Sequence, residues 1–245
     1  MENKTNLIKL FILINLLNFS CNFYDSSCFH SSGKLEEKVF ILDTFECITI
    51  NGFFEVYWHN SSDYQVKIRD GKNNLKFFEI KVENKTLIIN DKNKCKYLRE
   101  YKKPVIDIYC PYLRKVNLYS SNNFYCVDTI IVNDFLMNNY DYVSYVELKV
   151  KTNVFCYSLH AGTGDTYVCG YAENSYIWVN GNAYFWGENF KTKNSEVTHK
   201  STGDIIICVT NKLLANIYKV GNLIIYGNPL EISVSLFNRG KLILK

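Results

Sequence analysis

Short apolar runs that each follow a glycine recur through the second half of the chain. Three of these runs lie near the C-terminus and begin at Gly203, Gly221 and Gly240, and two earlier ones begin at Gly164 and Gly181. The steps between successive glycines (164, 181, 203, 221 and 240) are 17, 22, 18 and 19 residues. Recurrence at about 20 residues is typical of a solenoid, in which each unit buries its apolar face only by stacking on the next.

Side chains alternate along a strand, so the places two and four residues after each glycine should share one face. That face is almost wholly apolar, and we predict that it points inward; it holds Thr166 and Val168, Ala183 and Phe185, Ile205 and Ile207, Leu223 and Ile225, Leu242 and Leu244. The third places should then point outward. A glycine is expected at each anchor because the turn into the strand needs either a positive φ or a close backbone approach.

The chain before these repeats alternates apolar and polar residues in short runs that are separated by turns. Residues 64–69 and 78–82 are such runs, and the second is followed by Glu83-Asn84-Lys85 and a further strand over 86–89, as in a hairpin. We therefore predict an all-β fold with one domain over residues 39–245. A β-meander over 39–111 would pack at the start of coils over 112–245, a single-stranded β-helix-like solenoid with coils of about 20 residues.

The N-terminal residues have the pattern of a targeting segment. Lys4 and Lys9 precede the apolar stretch Leu10–Leu17, which is too short to span a bilayer and is followed by Ser20-Cys21. We predict a signal peptide over 1–20, a lipid attached to Cys21 and a flexible tether over 21–38, which would make a membrane the partner of the N-terminus. The alternative is ordinary signal-peptide cleavage near Ser20 without lipidation.

Charge and cysteine content exclude two classes of site. The net charge of +4 over 245 residues is mild, whereas nucleic-acid-binding domains usually carry a concentrated basic surface, so no nucleic-acid partner is predicted. The nine cysteines and four histidines show no metal-ligand spacing, so neither a metal nor another cofactor is predicted. Most of the cysteines fall at strand positions and are interpreted as small buried apolar residues.

Two sets of side chains are candidates for a functional role. Asp165 and Asp204 both follow an anchor glycine, but two rungs separate them by about 9–10 Å, which is at or beyond the widest spacing of catalytic carboxylate pairs. A row of outward tyrosines, predicted to occupy equivalent positions of successive coils, is the better candidate, since aromatic rings about 5 Å apart form a platform on which sugar rings stack. The candidate ligand-binding residues are Tyr125, Tyr145, Tyr167 and Tyr184. The alternative is that they cover a second sheet, the solenoid interior or a subunit interface.

Several phrases resemble the auto-transporter adhesin family with a head GIN domain that is known from Bacteroidetes. The resemblance rests on Ile48–Val56, on Val105–Pro111, and most of all on Leu213–Ile217 with Gly221–Pro229. Members of that family typically have Gly-Ser-Gly at the coil turns, where this chain has Gly162-Thr163-Gly164 once and other phrases elsewhere. The resemblance implies a right-handed β-solenoid in an exported, often lipid-anchored protein, and it implies no enzyme activity.

Together these observations predict a non-enzymatic lipoprotein that is exported and anchored to the cell envelope, with the outer membrane as the expected site. It would act as an adhesin or interaction module for a glycan or a protein. One alternative is a carbohydrate-active enzyme, a polysaccharide lyase or hydrolase, on the same scaffold. The other is an inert structural protein of the envelope. The sequence predicts no particular oligomeric state.

Overall fold

The computed structural model describes residues 31–93, 102–140 and 143–245. The predicted signal peptide, Cys21 and the first part of the predicted tether lie outside the described residues. The first strand begins at Leu35, earlier than the predicted start at residue 39. It is an edge strand with few inward positions, so its sequence lacks the alternation that marks a half-buried strand.

Seven strands precede the regular coils: β1 (Leu35–Ile41), β2 (Cys47–Asn51), β3 (Glu55–Asn60), β4 (Gln65–Gly71), β5 (Phe78–Glu83), β6 (Thr86–Asp91) and β7 (Val105–Cys110). A 3-10 turn over Leu75–Phe77 leads into β5. Strands β5 and β6 form the predicted antiparallel hairpin. The other pairings differ from a simple meander, because β2 is parallel to β6 and to β8 (Lys115–Tyr119), while β3 is parallel to β7 and to β9 (Asn123–Cys126).

Strands β2 and β3 thus belong to the solenoid, although they precede the predicted first coil. The backbone of Cys47–Asn51 continues the same parallel stack as Lys115–Tyr119, which lies much later in the chain. Strand β4 adds an antiparallel neighbour to β7, and β1 adds one to β4. Local alternation predicts that these runs are strands. It carries no information on which distant strand each one meets.

Eleven strands follow: β8 (Lys115–Tyr119), β9 (Asn123–Cys126), β10 (Ile130–Ile131), β11 (Asp134–Asn139), β12 (Val143–Leu159), β13 (Thr163–Gly181), β14 (Tyr184–Ser201), β15 (Ile205–Ile217), β16 (Leu223–Tyr226), β17 (Glu231–Leu236) and β18 (Leu242–Leu244). They stack in parallel as a solenoid of about six turns, which confirms the predicted fold.

Each full coil has two main sides. Face A consists of β6, β2, β8, β11, the C-terminal parts of β12 to β15, and β17. Face B consists of β7, β3, β9, the N-terminal parts of β12 to β15, β16 and β18. A short third side runs through β10 and the middle of the long strands. A long strand such as β13 therefore bends from face B across the short side onto face A.

The interior between the faces is apolar and continuous along the stack. The predicted inward residues are buried from Thr166 to Ile225, and only Leu242 and Leu244 in the last coil are partly or largely exposed. A few polar groups lie inside with partners. His199 is fully buried, accepts a hydrogen bond from the Ser201 N–H at Nδ1 and donates from Nε2 to the Asn222 carbonyl, and its burial lowers the pKa of the ring.

The anchor glycines are explained by close stacking of the coils. A Cβ built on Gly203 would lie 2.4 Å from the Ala183 carbonyl oxygen, and one on Gly221 would lie 2.2 Å from the Gly203 oxygen. Only Gly181 of the five predicted anchors has a positive φ between +20° and +160°. The register aligns Ala183, rather than Gly181, with Gly164 and Gly203. The predicted anchor at Gly181 is thus two residues early, and this even shift keeps the inward and outward rows correct.

Candidate functional site

Aromatic side chains form a continuous band on the outer surface of face B, which we call the aromatic ribbon. It contains Tyr57, Tyr125, Tyr145, Tyr167, Trp186 and Tyr184, in the order in which the rings contact one another. Successive ring centroids lie 5.0, 5.6, 5.3, 5.9 and 5.6 Å apart. The ribbon crosses five coils, a length of about 19 Å at the usual strand spacing.

The four predicted tyrosines all lie in the ribbon, but not in one column. The register places Tyr125 opposite Glu147, which is opposite Tyr167, which is opposite Trp186. Tyr145 and Tyr184 belong to the neighbouring column, two residues earlier in their strands, with Asp165 between them. The prediction of equivalent positions is therefore wrong. Rings of one column nevertheless contact rings of the other, so the series of aromatic contacts is continuous.

Ring orientation changes along the ribbon. The planes of Tyr57 and Tyr125 differ by 16°, and those of Tyr167 and Trp186 by 10°, so these pairs are stacked. Tyr145 is tilted by 41° from Tyr125 and by 38° from Tyr167. A stacked ring presents mainly its edge to solvent, whereas a tilted ring also offers part of its face. The ribbon is thus uneven, and Tyr145 stands at the change of direction.

Carboxylates accompany the aromatic rings. The Tyr57 hydroxyl donates to Glu55 Oε1 at 2.6 Å, and the Tyr145 hydroxyl donates to Glu147 Oε1 at 2.5 Å. The hydrogen bond to Glu55 raises the pKa of Tyr57 to about 12, and the bond to Glu147 likewise raises the pKa of Tyr145. Both tyrosines therefore stay neutral under physiological conditions. The local charge of the ribbon comes from the acids.

A pocket of about 160 Å³ opens beside Tyr167 and Trp186. Its polar wall includes Glu147, Lys149 and Glu188, and its floor is apolar. The wall at Glu188 exists because β14 contains extra residues relative to both neighbours: the register shifts after Tyr167 on one side and after Gly187 on the other. Bulges of this kind re-aim side chains and are frequent beside functional sites.

The indole nitrogen of Trp186 adds an unusual feature to this place. The atom is buried and has no hydrogen-bond partner among the residues that the structure describes. A buried donor without an acceptor costs about 1–3 kcal/mol. Such an unmet group in a native fold needs an explanation, and Trp186 is one of the residues that line the pocket.

A second group of stacked rings lies on face A, near its turn to face B, and is called the edge stack. It consists of Tyr119, Tyr140 and His160, with centroids 4.7 and 4.2 Å apart, and Trp178 packs against His160 at 5.0 Å. In contrast to the ribbon, no carboxylate hydrogen-bonds a tyrosine of this stack in the described part of the chain. The edge stack resembles the ribbon in chemistry and exposure and is thus a natural comparison.

The two candidate carboxylates are separated along the stack, and Asp204 has a structural hydrogen-bonding role. Asp165 and Asp204 lie in one column with Tyr184 between them. Asp204 Oδ1 accepts hydrogen bonds from the backbone N–H and the side-chain amide of Asn222, at 2.7 and 3.1 Å. This carboxylate therefore holds the turn of the next coil, a common role of aspartate beside a glycine. Within the described ranges, no group of three or more His, Cys, Asp or Glu side chains could hold a metal ion.

Comparison with known proteins gives the family. The family model described as "Putative auto-transporter adhesin, head GIN domain" matches residues 44–229. The chain belongs to this family. The head GIN domain thus covers both the first strands of the solenoid and the whole aromatic ribbon. No curated protein sequence matches the chain, and no helix in the described segments is long and apolar enough to cross a membrane.

Several solved structures have a similar fold. A putative adhesin from Bacteroides fragilis aligns with a TM-score of 0.76 and 19% identity over 86% of this chain and 97% of that one. A putative lipid binding protein from Parabacteroides distasonis aligns with a TM-score of 0.65 and 19% identity over 87% and 97%. A putative adhesin from the same species gives 0.62 and 15% over 87% and 98%. At these identities the likeness shows the fold alone.

Sequence reasoning finds four ribbon members and misses Tyr57 and Trp186. Tyr57 lies in Phe53–Trp58, whose alternation predicts a strand of the meander and gives no sign of the parallel pairing with Tyr125. Trp186 is missed because Gly181 is predicted as the anchor of its coil. The outward position three residues after that anchor is Tyr184 rather than Trp186. A step from Gly164 as long as the later steps reaches Ala183, and that anchor places Trp186 in the row of Tyr167.

Proposed function

We propose that this head GIN domain is a non-enzymatic binding module whose ligand is a glycan that lies along the aromatic ribbon. The observation that carries the proposal is the unbroken series of six rings beside a pocket with mixed polar groups. Aromatic faces and edges contact the C–H surfaces of sugars, while carboxylates accept hydrogen bonds from hydroxyl groups. A sugar oxygen that reached the Trp186 N–H would also remove the cost of that unmet donor.

The charges of the ribbon favour neutral sugars over acidic ones. Glu55, Glu147, Asp165 and Glu188 lie along it, and Lys149 is the basic residue that lines the pocket. Like-charge repulsion in a partly desolvated pocket would weaken the binding of uronic or sialic acids. The chemistry therefore supports a ligand rich in hydroxyl groups and poor in carboxylates.

The expected result is glycan binding that depends on the pocket rings. The double variant Tyr167→Ser and Trp186→Ser should weaken binding of neutral glycans at least tenfold. Loss of the two stacking rings should remove at least about 1.4 kcal/mol of binding free energy, which corresponds to a factor of ten in affinity. A glycan array followed by calorimetry on the best neutral ligand measures this. Serine at both Tyr119 and Tyr140 of the edge stack is the matched control and should leave affinity unchanged.

Other outcomes of this experiment contradict the proposal. If no glycan binds, or if the ribbon variant binds as tightly as the parent, the ribbon is not a glycan site. Binding of a protein that is lost in the same variant would assign the ribbon to a protein partner instead. Turnover of a polysaccharide would show an enzyme.

We also propose that the domain is displayed at the cell envelope by a lipid on Cys21. The support is the order of three features at the N-terminus: the basic residues Lys4 and Lys9, then the apolar stretch Leu10–Leu17, then Ser20-Cys21. Serine at Cys21 should move the protein from the membrane fraction to the soluble fraction, because a single cysteine carries the anchor. Fractionation with an antibody measures the distribution, and serine at Cys28 is the control. Unchanged membrane association of the Cys21 variant would contradict the anchor.

A further inference from the structure

The two ends of the solenoid are covered differently. At the first coil, Leu75 and Phe78 lie over the interior and are themselves 9% exposed, and the ring of Phe78 lies 5.7 Å from that of Phe54. At the last coil, the inward positions of β17 and β18 are open, with Ile232 42%, Leu236 55% and Leu244 57% exposed. Repeat folds normally close both ends with a polar cap, because an open apolar end promotes association.

The exposed apolar surface of the last coil is large enough to matter. Together with Leu230, which is 82% exposed, and the partly exposed inward residues Val234 and Leu242, these side chains offer roughly 500 Å² per chain, whereas contiguous patches beyond a few hundred Å² usually mark interaction sites. Two such patches face to face would bury roughly 1,000 Å² before any backbone is counted, which reaches the lower limit of a specific interface.

The backbone of β17 is paired along one edge, and its other edge faces away from the solenoid. Its inner edge pairs in parallel with β15, and the Phe237 N–H donates to the Ile217 carbonyl. Because alternate residues of a strand direct their N–H and C=O groups to opposite sides, Ile232, Val234 and Leu236 point theirs to the outer edge. In the described part of the chain no strand pairs with that edge. A free, apolar edge strand is a ready template for another strand.

We propose that this edge binds a second copy of the same chain, end to end, about a two-fold axis at Val234. In that register β17 pairs antiparallel with its copy, Ile232 lies opposite Leu236, and Val234 lies opposite itself. In this register all three residues form hydrogen bonds to the second copy with their outward N–H and C=O groups. A register centred on either neighbouring serine, Ser233 or Ser235, would form fewer such hydrogen bonds. Inward side chains meet inward side chains, so the two interiors join.

A two-fold arrangement also closes the assembly. In the dimer, the exposed last coil of each copy is covered by that of the other copy, as expected for an isologous interface. Contact between the last coil of one copy and the first coil of another would instead leave free ends and form filaments. The outermost strand at the other end, β1, exposes Ile41 at 79% and thus provides a residue that distinguishes these arrangements.

Proline at Val234 should convert the dimer to a monomer. It removes an N–H that faces the outer edge and does not bond to β15, so the coil itself keeps its ladder. Sedimentation velocity of the whole exported chain, purified in detergent, should give twice the chain mass for the parent and a single chain mass for the variant. Lysine at Ile41 is the control, and that variant should remain a dimer with the parent's circular dichroism spectrum.

A second variant that combines Ile232→Lys with Leu236→Lys covers the case in which Val234→Pro disturbs folding. It keeps the backbone groups but places like charges against the apolar edge of the second copy, and it too should be monomeric. A parent that sediments as a monomer would overturn the proposal, as would a dimer that persists in both edge variants. Loss of the dimer in the Ile41 variant would show end-to-start stacking and overturn it as well.

Discussion

Replacing Gly203 with valine should lower the free energy of unfolding by about 3 kcal/mol or more. A Cβ at this position would lie 2.4 Å from the Ala183 carbonyl oxygen and 2.8 Å from its carbon, distances that no side chain tolerates. The Ala183 backbone cannot recede, since its coil is hydrogen-bonded in register to coils on both sides. Relief would require two coils to separate, with loss of their ladder.

Valine at Thr202 is the matched control, because it places the same side chain one residue away. Thr202 is exposed, and its hydroxyl donates to Asn182 Oδ1 at 2.8 Å on the surface. Loss of one exposed hydrogen bond should cost less than about 1 kcal/mol. Urea unfolding of both variants measures the difference. Equal stability of the two variants would mean that the coils do not approach as closely as the glycine column requires.

The glycine column shows which part of the fold the sequence predicts well. The spacing of glycines reveals stacked coils because each coil must pass close over the one before it. With Ala183 in place of Gly181, the anchors are spaced more evenly along the chain than in the predicted series. Ala183 escapes notice because it is not a glycine, whereas the nearby Gly181 is a glycine and has a positive φ of 108°.

The parts that escape prediction depend on contacts between distant residues. Alternation in β2 and β3 indicates strands, but their places beside β8 and β9 follow from pairing with segments far along the chain. The bulge at Glu188 is also invisible, because an insertion appears only when β14 is aligned with both neighbours. The outward direction of the tyrosines is predictable from period two. The pocket beside them is not.

Replacing Phe155 with alanine should cost about 3–5 kcal/mol, the usual range for a fully buried aromatic residue. Phe155 is fully buried in a middle coil, and its ring contacts Phe190 at 4.7 Å and Phe135 at 6.1 Å. The cavity would therefore weaken packing against the coils on both sides. Because each coil is stabilised only by its neighbours, a defect in the middle interrupts the whole stack.

Leu214→Ala separates this effect from simple loss of an apolar side chain. Leu214 lies in β15, but it points outward and is 40% exposed, so its truncation should cost about 1 kcal/mol or less. Thermal and urea unfolding of both variants give the comparison. A cost at Phe155 no larger than that at Leu214 would contradict a continuous interior, and the ribbon would then lack the rigid frame that holds its six rings in contact.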